Sequence, residues 1–343
     1  MNKRKKVLFV QLPYLDNHVG GHCENLLLAA SYLQYAMERT EEDRFFTAAI
    51  CPPHTDHLDD RHIVDYIVRR EHPSVIAATL YLWNVERTLD VLRAVKERLP
   101  SVRILVGGPE VAPGHPFLFT SGVPDAVAVG EGELAFPAML RALRTGQRND
   151  SSAIAWKKGG KYFFGEGNIP VAALADLLPP TGHECNRPDN NGIAYMETSR
   201  GCPLRCTFCT YNQKRRGVSF IGADDVAERV SVLLARGARE IRFVDPTFNS
   251  SPEFEEILRR LTILNARKKI SFFAEIRAET ITGRQAYLLK MANFKEIEVG
   301  VQSRDKDVLK AVKRPCGLIV LDRGIRRMAA REIRLTIDIM CGL

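Results

Sequence analysis

Residues 199–209 read Ser-Arg-Gly-Cys-Pro-Leu-Arg-Cys-Thr-Phe-Cys, and they place three cysteines on one short segment. Cys202, Cys206 and Cys209 follow a C-x3-C-x2-C spacing, and the glycine and proline beside the first cysteine favour a tight turn. Three thiolates on one loop can hold a cubane iron–sulfur cluster, whereas ferredoxin-type electron carriers use four thiolates. The fourth iron then keeps an open position at which a small molecule binds and reacts, so the spacing indicates a catalytic site.

The residues around the cysteines resemble a known cluster loop. Residues 194–198 predict a buried strand that leads into the loop, and Phe208 stands directly before the last cysteine. The stretch from Glu197 to Tyr211 is similar to the cluster loop of the radical S-adenosylmethionine (SAM) enzymes. This resemblance implies a 4Fe–4S cluster whose open iron is chelated by SAM, reductive cleavage of SAM to a 5′-deoxyadenosyl radical, and a reductant such as flavodoxin or ferredoxin.

Two other uses of the cysteines fit the sequence less well. Structural zinc sites usually pair two C-x2-C knuckles or add histidines, and the next cysteine after Cys209 is Cys316. Eight cysteines in 343 residues are too few for a disulfide framework in a chain that opens without a secretory signal. We expect the remaining cysteines to be small buried apolar residues. They are Cys23, Cys51, Cys185, Cys316 and Cys341.

Length and charge limit the protein class. A chain of 343 residues with 45% hydrophobic content predicts about two domains, which we place at residues 1–148 and 192–343 with a hairpin-containing linker at 149–191. The 49 basic and 41 acidic residues are interspersed, so the net charge of +8 does not indicate nucleic-acid binding. The basic cluster at 214–216 predicts a loop near the cysteines or a solvated face.

The N-terminus and the cysteine chemistry bear on location. The basic residues 3–6 precede a strand pattern too short for a secretory signal or a membrane span. Cluster thiolates are sensitive to oxidation, which favours a reducing cytoplasm.

The first 145 residues alternate strand and helix patterns, which favours an α/β fold with a parallel sheet covered on both faces. Strands are predicted at 7–12, 45–50, 75–80, 103–106 and 126–129, and helices at 24–39, 59–71, 85–99 and 133–145. Five such units resemble a Rossmann-like or flavodoxin-like domain, whose ligands bind beyond the carboxyl ends of the strands.

The loops at those carboxyl ends resemble the cobalamin (B12)-binding domain that precedes many radical SAM modules. No G-x-G-x-x-G motif is present, so a dinucleotide is not favoured. The resemblance implies cobalamin contacts from Thr79, Leu80, Gly107, Gly108, Pro109, Glu110, Gly130, Glu131 and Gly132. Glycine turns also serve simply to let a strand enter a helix, and that alternative stays open.

The loop after the first strand contains Asp16-x-His18-x-x-Gly21. It matches the D-x-H-x-x-G pattern in which some cobalamin domains supply a histidine as lower axial cobalt ligand. A carboxylate two residues before the histidine can hydrogen-bond it and raise its basicity. His18 is alternatively a polar loop residue, because short motifs occur by chance.

From residue 192 onward the alternation resumes, with strands predicted at 194–198, 240–244, 270–274, 296–301 and 334–340. This resembles the first five units of the partial (β/α)6 radical SAM barrel, whose chemistry gathers at the carboxyl ends of its strands. There the resemblance implies SAM-holding roles for Asp245, Thr247, Glu275, Arg277, Gln302 and Ser303. Each of these residues is alternatively part of a salt bridge inside the barrel.

The sequence ends in the fifth strand of that barrel, where related sequences continue with a sixth. We therefore expect a C-terminally truncated barrel, and the ending indicates a shortened sequence, a gene fragment or a partner chain that completes the barrel.

The combined resemblance is to the class B radical SAM methylases. It implies a cobalamin-dependent methyltransferase that acts on an unactivated centre of a small molecule or peptide. Two alternatives remain: a radical SAM enzyme of another type, such as a cyclase, rearrangement enzyme or methylthiotransferase, and a non-catalytic cobalamin- or redox-binding fragment.

Overall fold

The computed structural model describes residues 3–13, 28–112, 115–148, 151–166, 168–211, 217–314 and 316–343. The chain divides into two compact units, Met1–Val171 and Ala172–Leu343. The domain and linker bounds given above stay a prediction. Within the described ranges, no helix combines the length and the apolar character needed to cross a membrane.

The first unit is built on a seven-stranded sheet. Its strands are β1 (Lys5–Val10), β2 (Phe46–Ile50), β3 (Val75–Thr79), β4 (Arg103–Gly107), β5 (Ala126–Ala128), β6 (Ile154–Lys158) and β7 (Lys161–Phe164). Its helices are α1 (Leu28–Glu38), α2 (Asp60–Asp65), α3 (Val85–Arg98), α4 (Pro116–Ser121) and α5 (Gly132–Thr145). A π-helical turn, Tyr66–Glu71, continues α2.

The strand order in this sheet is β2-β1-β3-β4-β5-β6-β7. The first five strands run parallel, and the β6–β7 hairpin adds two antiparallel strands beside β5. The central strand β3 is apolar on both faces because helices cover both. The order 2-1-3-4-5 is the flavodoxin-like one, whose switch point lies between β1 and β3.

The second unit contains a five-stranded parallel sheet of order β14-β13-β12-β11-β8 and a two-stranded ribbon, β9–β10. Its strands are β8 (Ile193–Met196), β9 (Ser199–Arg200), β10 (Ser219–Phe220), β11 (Glu240–Phe243), β12 (Ser271–Glu275), β13 (Phe294–Gln302) and β14 (Arg334–Ile339). Its helices are α6 (Leu174–Leu177), α7 (Ala223–Ala235), α8 (Phe254–Leu264), α9 (Gly283–Ala292), α10 (Lys306–Ala311) and α11 (Leu318–Ala329).

The two faces of the five-stranded sheet differ in polarity. One face is apolar and buried, with the stacked rings of Phe243 and Phe272 at its centre. The other face carries Arg242, Glu275 and Glu298 at alternating positions of neighbouring strands. A polar inner face beside an apolar outer face is the pattern of a sheet that curves around a site.

The sequence-based fold prediction is confirmed. All ten predicted strands of the two main sheets occur within two residues of their expected ends, and a hairpin forms within residues 149–191 as predicted. The ribbon β9–β10 and the short helices α4, α6 and α10 were not predicted, because each is too short to show a periodic pattern.

Gly108 allows the turn after β4 to approach the end of β3. Its φ is +115°, and an added Cβ would lie 2.5 Å from the Leu80 carbonyl oxygen and 2.8 Å from the Leu80 nitrogen. We expect Gly108→Ala to lower the free energy of unfolding of the first unit by about 3 kcal/mol, since backbone atoms must shift. Urea titration followed by tryptophan fluorescence reports on this unit alone, because both tryptophans, Trp83 and Trp156, belong to it.

Gly146→Ala is the matched control. Gly146 also has a left-handed φ, +76°, but no atom lies within 4 Å of the position that an added Cβ would take. The substitution should therefore cost only about 1 kcal/mol from backbone strain. Equal losses in the two variants would contradict the close-approach explanation.

Candidate functional site

The cysteine loop leaves the second sheet after β8 and is closed at its base. Ser199 and Arg200 pair antiparallel with Phe220 and Ser219 in the ribbon. Next to this ribbon, Gly201 has a φ of +101°, and a Cβ there would lie 2.3 Å from the Gly217 carbonyl oxygen. The glycine is therefore required where the two ends of the loop meet.

The buried carboxylate of Asp245 fixes the start of the loop. It accepts hydrogen bonds from the Thr198 nitrogen at 2.8 Å, from the Thr198 hydroxyl at 2.9 Å and from the Ser199 nitrogen. Asp245 is fully buried, and this burial raises its pKa to about 7 although the three hydrogen bonds act in the opposite direction. Asp245 thus links the end of β11 to the entry of the cysteine loop.

The three cysteines lie half-buried along this loop. The Cys209 nitrogen donates to the Cys206 carbonyl at 3.1 Å, which forms a turn between the second and third cysteine. The Cys202 sulfur lies 3.5 Å from the Thr247 hydroxyl oxygen. Phe208 is half-buried in the same turn. All three cysteines thus lie half-buried on one loop, as a cluster held by three thiolates requires.

A second segment holds the far side of the loop. The Thr207 nitrogen donates to the Val312 carbonyl at 3.0 Å. The Arg314 guanidinium donates to the Cys206 sulfur at 3.9 Å and to the Gly300 carbonyl oxygen. Arg314 thus connects the end of β13 to the middle cysteine of the loop.

The donor set fits an iron–sulfur cluster. Cys202, Cys206 and Cys209 are free, half-buried cysteines on one short loop. Thiolates are the protein ligands of such clusters, and a cubane held by three of them keeps one iron without a protein ligand. Among the described residues, no group of three or more histidine, cysteine or carboxylate side chains is arranged to hold one metal ion.

Three carboxylates share the polar inner face of the sheet near its carboxyl edge: Glu275 on β12, Glu298 on β13 and Asp338 on β14. Glu275 lies opposite Glu298 in register. Burial, together with the charges of Glu275 and Asp338, raises the pKa of Glu298 to about 7. Burial and Asp338 also raise the pKa of Glu275. Glu298 therefore exchanges its proton near neutral pH, and the neighbouring carboxyl groups can bind an amino or hydroxyl group.

Arg277 is held by its backbone just beyond β12. The Asn249 side chain donates to the Arg277 carbonyl and accepts from the Arg277 nitrogen, both at 2.9 Å. The Arg277 guanidinium pairs with Glu279 at 2.8 Å. The structure therefore places Arg277 at the carboxyl edge, with one guanidinium nitrogen already engaged in a salt bridge.

The end of β13 is irregular. The pairing with β14 shifts register between Gly300 and Gln302, and Gln302 has a left-handed φ of +67°. A Cβ on Gly300 would lie 2.5 Å from the Gln302 side-chain nitrogen. The Ser303 nitrogen donates to the Val301 carbonyl at 2.8 Å. Bulges and left-handed non-glycine residues concentrate at functional sites, so this irregular strand end supports Gln302 and Ser303 as candidates.

In the first unit, a cavity of about 190 Å³ lies at the carboxyl edge of β3, β4 and β5. Small and apolar side chains form most of its wall, including Ala77, Ala128 and Phe136. Of the predicted residues, those that line it are Thr79, Gly107, Gly108, Pro109, Gly130 and Gly132. The cavity is far smaller than a cobalamin molecule and would take only part of one.

The other predicted residues of this unit lie beside the cavity. Leu80 is fully buried. The Glu110 carboxylate lies 3.4 Å from the His115 ring nitrogen. The Glu131 carbonyl accepts from the first turn of α5. Asp16, His18 and Gly21 lie outside the described residues, as does the basic cluster at 214–216.

Several residues of both sites escaped the sequence analysis. Asn84 is buried and donates to the Leu12 carbonyl at 2.9 Å and to the Thr79 carbonyl at 3.3 Å, which ties the ends of β1 and β3 together. Glu298 and Arg314 were missed as well. The alternation of Glu298, Gly300 and Gln302 along one strand was the available signal for Glu298.

Removing the Asp245 carboxylate leaves three donors at the loop base without their acceptor. We expect Asp245→Ala to lower the free energy of unfolding of the second unit by about 3 kcal/mol, and Asp245→Asn, which keeps one acceptor oxygen, by less. Differential scanning calorimetry measures the loss. Glu332→Ala is the control, since Glu332 lies in the same unit in an exposed pair with Lys290 and should cost at most about 0.5 kcal/mol. A loss in Asp245→Ala no larger than in this control would refute the role assigned to Asp245.

Comparison with known proteins agrees with this geometry. The family model described as "Radical SAM superfamily" matches residues 196–343, and that described as "B12 binding domain" matches residues 35–140. A radical SAM domain implies a 4Fe–4S cluster and SAM, and a B12-binding domain implies cobalamin. These are the cofactors expected from the sequence.

Two curated relatives are methyltransferases. The chain is 29% identical to the cobalamin-dependent radical SAM methyltransferase TokK of Streptomyces tokunonensis. It is 26% identical to the 2-(S-pantetheinyl)-carbapenam-3-carboxylate methyltransferase of Streptantibioticus cattleyicolor. Each alignment covers 79% of this chain and 42% of the relative, so the chain spans less than half the length of these proteins.

A solved structure shares the fold. The cobalamin-dependent SAM radical enzyme OxsB, with aqua-cobalamin and SAM bound, superposes with a TM-score of 0.76 at 17% identity, over 98% of this chain and 49% of OxsB. Residues 196–343 therefore contain a radical SAM domain and residues 35–140 a B12-binding domain.

Proposed function

We propose that this chain catalyses methyl transfer by radical SAM chemistry, using a 4Fe–4S cluster, SAM and cobalamin. The observation that carries the proposal is the three-cysteine loop. Its base is locked by Asp245 and Gly201 at the carboxyl edge of a polar-faced sheet, in a chain that also has a B12-binding domain. The acceptor would be an unactivated carbon or phosphorus of a small molecule or peptide.

Cys202, Cys206 and Cys209 would hold the cluster. When bound, the cluster and SAM supply a radical that removes a hydrogen atom from the substrate, and methylcobalamin supplies the methyl group. The chain's own part is to position the three thiolates, and Thr247 and Arg314 contact two of them. Hydrogen bonds to cluster sulfurs tune the reduction potential, so Arg314 would favour the reduced state of a cluster held by this loop.

The carboxyl edge of the second sheet would hold SAM. Arg277 suits the methionine carboxylate by charge-assisted hydrogen bonds. Glu275 and Glu298 offer acceptors for the amino group and the ribose hydroxyls, and their raised pKa values let them adjust their protonation to the ligand. Gln302 and Ser303 offer amide and hydroxyl contacts at the adjacent strand end. Asp245, already engaged by three donors, would act through the loop that it positions.

The carboxyl edge of the first sheet would hold cobalamin. Its cavity wall of alanines and glycines leaves room for a flat apolar group, and Thr79 and Glu133 add polar atoms at the wall. Coordination of cobalt by His18 stays a prediction from the sequence pattern.

The relatives favour a small-molecule acceptor. One of them is named for a carbapenam carboxylate substrate, which is a small molecule. Another alignment joins this chain to an anaerobic magnesium-protoporphyrin IX monomethyl ester cyclase of Rubrivivax gelatinosus, at 26% identity over 46% of this chain. A radical SAM reaction other than methylation is therefore the second candidate function.

Anaerobic reconstitution with iron, sulfide and hydroxocobalamin tests the proposal. With SAM and titanium(III) citrate we expect 5′-deoxyadenosine and S-adenosylhomocysteine together, because radical formation and methylation of cobalamin each consume SAM. Cys206→Ser should abolish cluster absorbance and 5′-deoxyadenosine. Cys341→Ser, an exposed cysteine outside the loop, should leave both unchanged. 5′-deoxyadenosine without S-adenosylhomocysteine would favour the second candidate, and no SAM cleavage would contradict both.

Filling the first-unit cavity should weaken the binding of cobalamin without affecting the cluster. Ala29 on α1 lines the cavity, so we expect Ala29→Phe to weaken hydroxocobalamin binding at least tenfold, roughly 1.4 kcal/mol, while cluster absorbance stays unchanged. Titration followed by absorbance measures the affinity. Ala36→Phe is the control, since Ala36 lies two turns further along the same helix and does not line the cavity. Unchanged affinity in Ala29→Phe would place cobalamin elsewhere.

A further inference from the structure

Positive charge is concentrated in one segment of the second unit. Residues 304–331 contain nine basic and three acidic residues, a net charge of +6 in a chain whose total is +8. The rest of the chain is therefore close to neutral. Such a segment creates a local positive potential that attracts an acidic partner.

Three lysines of this segment form an exposed stripe. Lys306 and Lys310 lie one helical turn apart on α10, Lys313 follows two residues after the end of the helix, and all three are exposed. We call them the lysine stripe. In the described part of the chain, no carboxylate forms an ion pair with any of them, whereas nearby Arg304 is paired with Asp322 at 2.7 Å.

The acidic residues of α10 do not neutralise the stripe. Asp305 accepts hydrogen bonds from the Asp307 nitrogen at 2.8 Å and the Val308 nitrogen at 3.2 Å, so it caps the helix. Asp307 is exposed in the first turn of α10 and is the one carboxylate of the helix itself. The net charge of this short helix and of the turn after it therefore remains positive.

The lysine stripe adjoins the cysteine loop directly. Val312, next to the last lysine of the stripe, accepts a hydrogen bond from Thr207 at 3.0 Å. Arg314 contacts the Cys206 sulfur. Arg205 on the cysteine loop is exposed as well and adds a further positive charge between the first two cysteines.

From this juxtaposition we propose that the lysine stripe is the docking surface for an acidic one-electron donor protein. The proposal rests on the cluster assignment of the proposed function. One electron passes from the donor, which is oxidised by one electron, to the cluster held by the cysteine loop, which is reduced by one electron, and no bond forms or breaks. Electron-transfer encounters have small interfaces and depend on charge complementarity for their rate.

A protein partner fits the stripe better than a nucleic acid. Residues 304–331 contain no phenylalanine, tyrosine, tryptophan or histidine. Single-stranded nucleic-acid sites combine basic residues with aromatic side chains on which bases stack. The stripe offers charge without stacking surfaces.

Stopped-flow reduction of the reconstituted full chain tests the assignment, with a reduced acidic flavodoxin as donor and dithionite as a small-molecule comparison. We expect the triple variant Lys306→Glu, Lys310→Glu, Lys313→Glu to lower the second-order rate constant with flavodoxin at least tenfold. Its rate with dithionite should stay within about twofold, because a small reductant needs no docking surface. The wild-type rate with flavodoxin should also fall steeply as salt is added.

The matched control is a second triple variant, Arg267→Glu, Lys268→Glu, Lys269→Glu. These three exposed basic residues precede β12 at its amino end, whereas α10 follows the carboxyl end of β13, and the change in net charge is the same. We expect the control to keep the flavodoxin rate within about twofold of wild type. Equal losses in both triple variants, or no loss in the stripe variant, would overturn the proposal.

Two further outcomes of these experiments would overturn different claims. Loss of tRNA binding in the stripe variant with an unchanged flavodoxin rate would assign the stripe to RNA and overturn the proposal. Failure of the wild-type chain to form a cluster would instead overturn the proposed function, and it would show before any donor is mixed.

Discussion

The hydrogen bonds to the buried Asp245 carboxylate are the constraint on which the candidate site depends. A single side chain at the end of β11 accepts from two successive backbone nitrogens and one hydroxyl at the entry of the cysteine loop. Burying a carboxylate is costly unless donors surround it, so this arrangement is stable only with the loop in place. Together with the left-handed Gly201, it holds the loop at the carboxyl edge of the sheet, where the polar inner face ends.

The distribution of polarity explains why that edge is suited to chemistry. The outer face of the second sheet buries phenylalanines and aliphatic side chains, whereas the inner face carries carboxylates and arginines that an ordinary core would exclude. Glu298 retains a proton to about pH 7 because burial and two neighbouring carboxylates disfavour its charge. The carboxyl edge of the first sheet is different, since its alanines and glycines leave a mostly apolar cavity with the Glu133 side chain in its wall.

The fold and the cysteine loop could be predicted from local sequence patterns. Apolar runs such as residues 75–79 predict buried parallel strands, and the C-x3-C-x2-C spacing lies within eight residues. The part that escaped prediction depends on contacts between distant residues. The role of Asp245 as the acceptor for the loop, the pairing of Glu298 with Glu275 and the contact of Arg314 with Cys206 each require strand register or a fold-back of the chain. The sequence predicts a cobalamin contact for Gly108. Its φ and its close approach to Leu80 show in addition that the turn after β4 requires glycine for its own geometry.

Electron paramagnetic resonance of the reduced, reconstituted chain tests the central claim most directly, which is that three cysteines hold a cluster with one open iron. Three protein ligands leave a position for SAM, so adding SAM must change the environment of one iron. We predict the spectrum of a reduced 4Fe–4S cluster whose g-values shift when SAM is added. A cluster spectrum that SAM leaves unchanged, or no cluster spectrum at all, would contradict that claim.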